Sequence, residues 1–191
     1  MGINEKRNTN SGCTPMKLTS HSDKPCGIAQ TLGVIGDSWT LLILRNCFLQ
    51  TRRFADFQQQ LGLTRHVLAE RLIKLVDHGI LKKVPYGESG KRFEYRLTQK
   101  GVSLGPVFMA LSSWGNEWLF EKGKAPIQYE HQECGQTMQA KMSCSCCGGA
   151  ITGNNVKMVM GHGIQEIMEK EPKENWNALL GFPTNQNSSS D

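Results

Sequence analysis

The order of apolar and polar positions along the 191 residues divides the chain into a polar arm, a helical body, a basic hairpin and a second, shorter hairpin. Residues 1–24 are rich in Asn, Ser, Thr, Lys and Gly without periodicity and read as a disordered arm. From Gly27 to Ile35 an apolar-rich stretch predicts a helix that stops near Gly36. Asp37 and Ser38 are both N-cap residues for a second helix. Its Trp39, Leu42, Ile43 and Cys47 share one face at helical spacing, which predicts burial to about Leu49. Arg52 to Phe57 opens a short helix to about Gln60, and Leu61-Gly62-Leu63-Thr64 supplies a turn whose Thr64 caps the next helix. In that helix Leu68, Leu72, Leu75 and Val76 form the core stripe, and Gly79 sits where a C-cap is expected. Two such helices joined by a tight turn read as a helix-turn-helix.

The period then changes. Ile80 to Val84 is apolar at its ends and carries Lys82 and Lys83; Arg92, Glu94 and Arg96 alternate with Phe93, Tyr95 and Leu97, the period of a half-buried strand. Residues 85–91 join the two strands, and a basic hairpin directly after a helix-turn-helix is a wing. Thr98 caps a last long helix to about Phe120, with Leu104, Val107, Phe108, Leu111, Trp114 and Trp118 near one stripe. A helix this apolar, outside a compact winged domain, needs a cover, and a homodimer is the expectation; packing wholly on its own domain is the alternative. Residues 152–191 are Asn-, Gly- and Ser-rich and read as a mostly disordered tail, with room for one or two helical turns over Ile164 to Lys170. The expected fold is mainly α with a small β wing, plus a small zinc-ribbon-like β hairpin. The expected divisions are the arm 1–24, a winged helix-turn-helix domain with its dimerisation helix at 25–122, the hairpin module 127–151, and the tail 152–191.

Charge sharpens this reading. The chain carries a net +5, yet between Trp39 and Lys100 twelve Lys and Arg face five Asp and Glu, an excess of seven. The positive excess is confined to the helix-turn-helix and wing, which suits a polyanion. Nothing approaches the roughly 18 consecutive apolar residues of a membrane span. The start of the chain shows no apolar secretory core. Seven cysteines, three of them within 144–147, do not form an extracellular disulfide framework, so a reducing cytoplasm is expected.

The cysteines carry a second expectation. His131-Gln132-Glu133-Cys134-Gly135 and Cys144-Ser145-Cys146-Cys147-Gly148 each place two metal donors three positions apart and follow the second with glycine. Two such knuckles, nine residues apart, can close a tetrahedral zinc site on His131, Cys134, Cys144 and Cys147. Cys146 is the spare thiol and competes with His131 for the fourth place. Four protein donors leave no open position for water, so Zn2+ here reads as a structural staple. No strand-helix unit surrounds the thiols, which argues against a thiol oxidoreductase; no catalytic residue is expected and the chain is not read as an enzyme.

These residues resemble the HxlR family of bacterial winged helix-turn-helix transcription regulators from Cys26 to about Trp118. The resemblance rests on Cys26-Gly27-Ile28, Ile35-Gly36-Asp37-Ser38-Trp39-Thr40-Leu41-Leu42-Ile43-Leu44-Arg45 and Arg53-Phe54-Ala55-Asp56-Phe57. Leu68-Ala69-Glu70-Arg71-Leu72-Ile73-Lys74-Leu75, His78-Gly79-Ile80-Leu81, Glu94-Tyr95-Arg96-Leu97-Thr98-Gln99-Lys100-Gly101 and Trp114-Gly115 complete it. It implies a homodimer on palindromic double-stranded operator DNA, under small-molecule or oxidant control. A repressor is expected over an activator, because a dimer on a palindrome can block polymerase by occupancy alone. Such proteins often carry Pro or Ser after the cysteine, where this chain has Gly27. Cys26 follows Lys24-Pro25 at the start of a helix, where the helix N-terminus and an ammonium favour a reactive thiolate, and it is the candidate redox sensor; an inert packed thiol is the alternative.

In a helix-turn-helix the second helix enters the major groove with its N-terminal residues at the base edges. Here these are Thr64, Arg65 and His66, with Arg65 able to donate twice to guanine. Arg52 and Arg53 before the first helix of the motif, and Lys82, Lys83, Lys91 and Arg92 in the wing, are placed for phosphate. Gln58 to Gln60 add polar contacts to the DNA backbone or form a solvated helix end, and Arg71 is expected to pair with an acid such as Asp77. A protein-interaction module that binds no DNA is the competing class, which the basic excess disfavours.

Overall fold

The computed structural model describes residues 25–88 and 90–170; the predicted arm, Cys13 and the end of the tail lie outside these residues. Helix α1 (Gly27–Ile35) ends where the Gly36 N–H donates to the Leu32 carbonyl at 2.9 Å. Asp37 turns the chain into α2 (Ser38–Phe48): its carboxylate accepts from the Thr40 N–H at 3.0 Å and from the Thr40 hydroxyl at 3.2 Å. That pair of hydrogen bonds holds Thr40 inward, and the buried face of α2 runs through Thr40, Ile43, Leu44 and Cys47, the i, i+3, i+4, i+7 pattern of one helical face. Trp39, expected on that face, is instead 39% exposed, and Leu42 is half-buried.

Helix α3 (Phe54–Leu61) and helix α4 (Arg65–Asp77) flank a turn in which Gly62 adopts φ +64°. Phe57, Leu63, Leu68, Leu72 and Leu75 close on Ile43 and Leu44 of α2, with Ile35, Ile80 and Leu81 sealing the ends of this core. Each such side chain contributes about 1.5–3 kcal/mol by leaving water. A polar clamp holds the back of the motif. Gln60 Oε1 accepts from Asn46 Nδ2 and from the Thr51 hydroxyl, both at 2.8 Å, so Gln60 is tied into the fold, whereas a DNA-backbone contact or a solvated helix end had been expected of it.

Strand β1 (Leu81–Tyr86) pairs antiparallel with β2 (Arg92–Leu97), from Leu81 opposite Leu97 to Tyr86 opposite Arg92. The segment before α3 joins as a third edge, the Tyr95 N–H donating to the Arg52 carbonyl at 2.8 Å beside an Arg53–Glu94 bridge. The hairpin is therefore fastened to the start of the helix-turn-helix as well as to its end.

The single long helix expected after Thr98 is two. Thr98 caps α5 (Gln99–Val102) by accepting from the Gly101 N–H at 3.1 Å, and α6 (Gly105–Trp118) begins after a break at Ser103 and Leu104. Pro106, in the first turn of α6, has no N–H to give and its ring would strike the Val102 carbonyl in a continuous helix. Phe108 packs on Phe48 with ring centroids 5.3 Å apart, and Leu104 lies against the core. The rest of the stripe stays uncovered: α6 has no buried residue, with Leu111 53%, Trp114 56% and Trp118 67% exposed. In this chain the helix does not pack wholly on its own domain.

A short hairpin follows, β3 (Tyr129–His131) with β4 (Gln136–Met138), linked to α6 where Asn116 Nδ2 donates to the Ile127 carbonyl at 2.9 Å. Helix α7 (His162–Lys170) lies where one or two turns were expected.

The tightest backbone approach is at Gly101. A Cβ there would run into the Ile80 carbonyl oxygen and lie 2.9 Å from Leu97 Cδ2. Gly101→Ala should cost about 1–3 kcal/mol as an overpacked substitution, read as a lower urea midpoint at unchanged slope. An unchanged midpoint would show that the α5–β1 junction has room the structure does not give it.

Candidate nucleic-acid interface

Helix α4 is set from three sides. Leu68, Leu72 and Leu75 bury its inner face completely. On its flank Arg71 Nε donates to Asp37 Oδ1 at 3.0 Å and Nη2 to Oδ2 at 3.5 Å, while Nη1 lies 2.9 Å from Glu70 Oε1. The partner expected for Arg71 was an acid such as Asp77; the structure gives it Asp37, the cap of α2, so one carboxylate both starts α2 and anchors α4. Lys74 Nζ donates to the Gly33 carbonyl at 2.8 Å and ties the same flank to α1. Burial pushes the Asp37 carboxyl up, but the Arg71 and Thr40 bonds outweigh it and hold the group below its ordinary value.

What α4 presents outward is its first turn. Thr64 caps it in extended conformation, its hydroxyl accepting from the Val67 N–H at 3.4 Å. Thr64, Arg65 and His66 are all exposed. The Arg65 guanidinium stands 5.7 Å over the Phe54 ring, so the side chain leans on α3 with its donors free of any carboxylate among the described residues. Phe54 was read only as part of a helix start; its place under Arg65 follows from the turn geometry, which residue spacing alone does not give.

The flanking cations divide into held and free. The Arg53 guanidinium lies 5.0 Å over the Tyr86 ring and 3.7 Å from Glu94. Arg52 Nη2 donates to Gln50 Oε1 at 2.7 Å, and Gln50 has φ +66°. Glu94 also accepts from Arg96 Nη2 at 2.8 Å; that bond, opposed by burial and assisted by the charges of Arg53 and Arg52, keeps its carboxyl below the ordinary value. Lys82, Lys83, Lys91 and Arg92 are exposed and have no ion-pair partner among the described residues. Register places Lys82 with Arg92 and Arg96 on one face of the wing and Lys83 on the other, with Phe93 and Tyr95. The two lysines therefore point to opposite sides.

The thiols separate as well. Cys26 is the N-cap of α1, half-buried, with no side-chain capping bond. Cys47 is core, as expected, and burial pushes its thiol up to about 12. Of the expected zinc donors, His131 and Cys134 sit in one turn and Cys144 and Cys147 in another; no three such donors gather around one point among the described residues. No single helix among the described residues is long and apolar enough to cross a membrane.

A tri-helical core, an outward first turn on its third helix, and a basic wing fastened to both ends of the motif define a winged helix-turn-helix transcriptional regulator. The chain matches the HxlR-like helix-turn-helix family over residues 34–123. It is 37% identical over 146 residues to the uncharacterized HTH-type transcriptional regulator Rv3095 of Mycobacterium tuberculosis, covering 76% of this chain and 92% of that protein. The uncharacterized HTH-type transcriptional regulator sll1512 of Synechocystis is 32% identical over 112 residues, 58% of this chain and 81% of its own. Among solved structures, the transcription-factor candidate PA1607 superposes with TM-score 0.67 at 35% identity, covering 75% of this chain and all of that one. The transcription-factor candidate PA1374 of Pseudomonas aeruginosa does so with TM-score 0.54 at 28% identity, over 76% of this chain and 99% of its own. The chain belongs to the HxlR-like helix-turn-helix family, and membership of a family of transcriptional regulators implies DNA as its partner.

The Asp37–Arg71 anchor has a pH signature. Because the Asp37 carboxyl is lowered by folding, its contribution is complete above the unfolded carboxylate range, about pH 4, and is lost as pH falls through the lower folded value. Urea unfolding of wild type and Asp37→Asn should therefore differ most near neutrality and converge below about pH 4. A gap that persists undiminished in acid would assign the effect to something other than the carboxylate charge.

Proposed function

We propose that the chain acts as a homodimer that reads an inverted-repeat operator through the first turn of α4 and represses by occupying it. The observation that carries this reading is the pairing of an anchored α4, whose Thr64, Arg65 and His66 face outward, with an apolar α6 face left uncovered in the single chain. Ile28 and Leu32 on α1 are exposed as well. A second copy laid on the α6 face would set two α4 helices on one side of a duplex, with half-sites about one helical turn apart. Arg65 and His66 then address base edges, while Lys82, Lys83, Lys91 and Arg92 in the wing serve phosphates, Lys82 and Arg92 from one face and Lys83 from the other. Arg52 and Arg53 add charge at the start of α3 but are partly occupied by Gln50 and by Glu94 and Tyr86. Oxidant control would enter through Cys26, at the N-terminus of α1, rather than through buried Cys47.

Selection of bound duplexes from a random pool by the reduced protein should recover an inverted repeat. On that sequence Arg65→Ala should weaken binding by about 1–3 kcal/mol and relax one position per half-site, the cost of a bidentate base contact. Equal loss on operator and random duplex would move Arg65 to the phosphates, and no DNA recovered at low salt would favour a protein partner for the same surface.

A further inference from the structure

Residues 127–151 form a folded hairpin without a core. None of them is buried; Tyr129, Met138, Ala140, Cys144 and Ile151 are only half-buried. Two strands of three residues do not hold themselves together in water, and a unit this small needs a covalent or metal staple. Among the described residues the thiols are free, so a disulfide does not supply it.

The two turns that carry the donors are built alike. In the first, the Gly135 N–H donates to the His131 carbonyl at 2.8 Å; in the second, the Gly148 N–H donates to the Cys144 carbonyl at 2.8 Å. The glycines have φ +64° and +70°, a left-handed conformation that residues with a side chain rarely adopt, so both turns depend on glycine at the same place. In the first turn His131 Nδ1 and Cys134 Sγ stand 3.4 Å apart. Donors at about 2.0–2.1 Å and 2.3 Å from a tetrahedral zinc would be separated by about 3.5 Å. The second turn repeats the first in backbone form, with Cys144 and Cys147 at the positions that His131 and Cys134 hold there. The Ser143–Ala150 bridge and the Cys144 N–H bond to the Gly149 carbonyl at 2.8 Å brace that loop from outside.

We propose that these turns are two halves of one structural zinc site, held by His131 Nδ1 and the thiolates of Cys134, Cys144 and Cys147. Among the described residues no three of these donors gather, and in the proposed site the ion joins the two turns. Three sulfurs and one imidazole suit zinc, which has no geometric demand beyond the tetrahedron and leaves no open position for chemistry. Binding releases the three thiol protons to solvent and leaves the redox state unchanged. Cys146 falls outside the donor set because the spacing of the first turn, two donors three positions apart with a left-handed glycine after the second, selects Cys147 as the partner of Cys144.

Cobalt(II) titration of the reduced full-length protein tests this. One ion per chain should bind, with the thiolate-to-cobalt charge-transfer band and the intense visible bands of a tetrahedral site, and one equivalent of zinc should erase both. Cys146→Ser should keep the full signal, whereas His131→Ala, Cys134→Ser, Cys144→Ser and Cys147→Ser should lose it or shift it to weak, non-tetrahedral bands. Because a donor variant can fail by misfolding, limited proteolysis of the wild-type chain is run beside it. Chelation should open cleavage within 127–151 while the 25–122 region survives, and zinc should close it. Absence of a charge-transfer band in wild type, signal loss in Cys146→Ser with retention in Cys147→Ser, or cleavage indifferent to zinc each overturns the proposal.

Discussion

Arg71 and Asp37 hold the fold's working surface in place. A helix can bury three leucines and still slide or roll by part of a turn, because apolar contact has little direction. The guanidinium bond from α4 to the cap of α2, at 3.0 Å, adds direction. Since the same carboxylate fixes Thr40 and thereby the buried face of α2, the angle of α4 and the composition of the core are set together. Its electrostatic share is modest, for both partners remain partly in water, with side chains 23% and 34% exposed. The leverage lies in position: a small roll of α4 would swing Thr64, Arg65 and His66 together.

The wing repeats the same logic. Glu94 is drawn to Arg96 within its own strand and to Arg53 at the head of α3, and the Tyr95–Arg52 backbone bond lies beside them. The acid joins the hairpin to the helix-turn-helix, and the wing cations left over at Lys82, Lys83, Lys91 and Arg92 form the outward charge. Thus acids inside a basic segment organise it, and the net excess of that segment is what remains for a polyanion.

The helix-turn-helix, its turn and cap, and the existence of the second wing strand were legible in the sequence because each is written in short-range chemistry: leucines at helical spacing, Thr64 before Arg65, alternation from Arg92 to Leu97. On α2 the expected Ile43 and Cys47 are buried, while Thr40 and Leu44 take the places given by apolarity to Trp39 and Leu42, and only the Asp37 bonds reveal why a threonine goes inside. The break before α6 was written at Pro106 and masked by an apolar stripe that continues across it. Long-range pairs such as Arg71 with Asp37, Gln60 with Asn46 and Arg65 over Phe54 had no local signal, since each depends on how two elements meet. The metal-type turns were visible as spacing, and the structure adds their common hydrogen bond.

In the proposed account, an anchored recognition helix becomes useful only when a second copy covers α6. Leu111, Trp114 and Trp118, each more than half exposed in the single chain, are a large apolar surface to leave in water. Sedimentation equilibrium of the DNA-free, reduced protein at micromolar concentration addresses this most directly. The account predicts a species of twice the 21.3 kDa chain mass, reduced to the single-chain mass by Leu111→Glu. A wild-type protein that sediments at the single-chain mass throughout would contradict it.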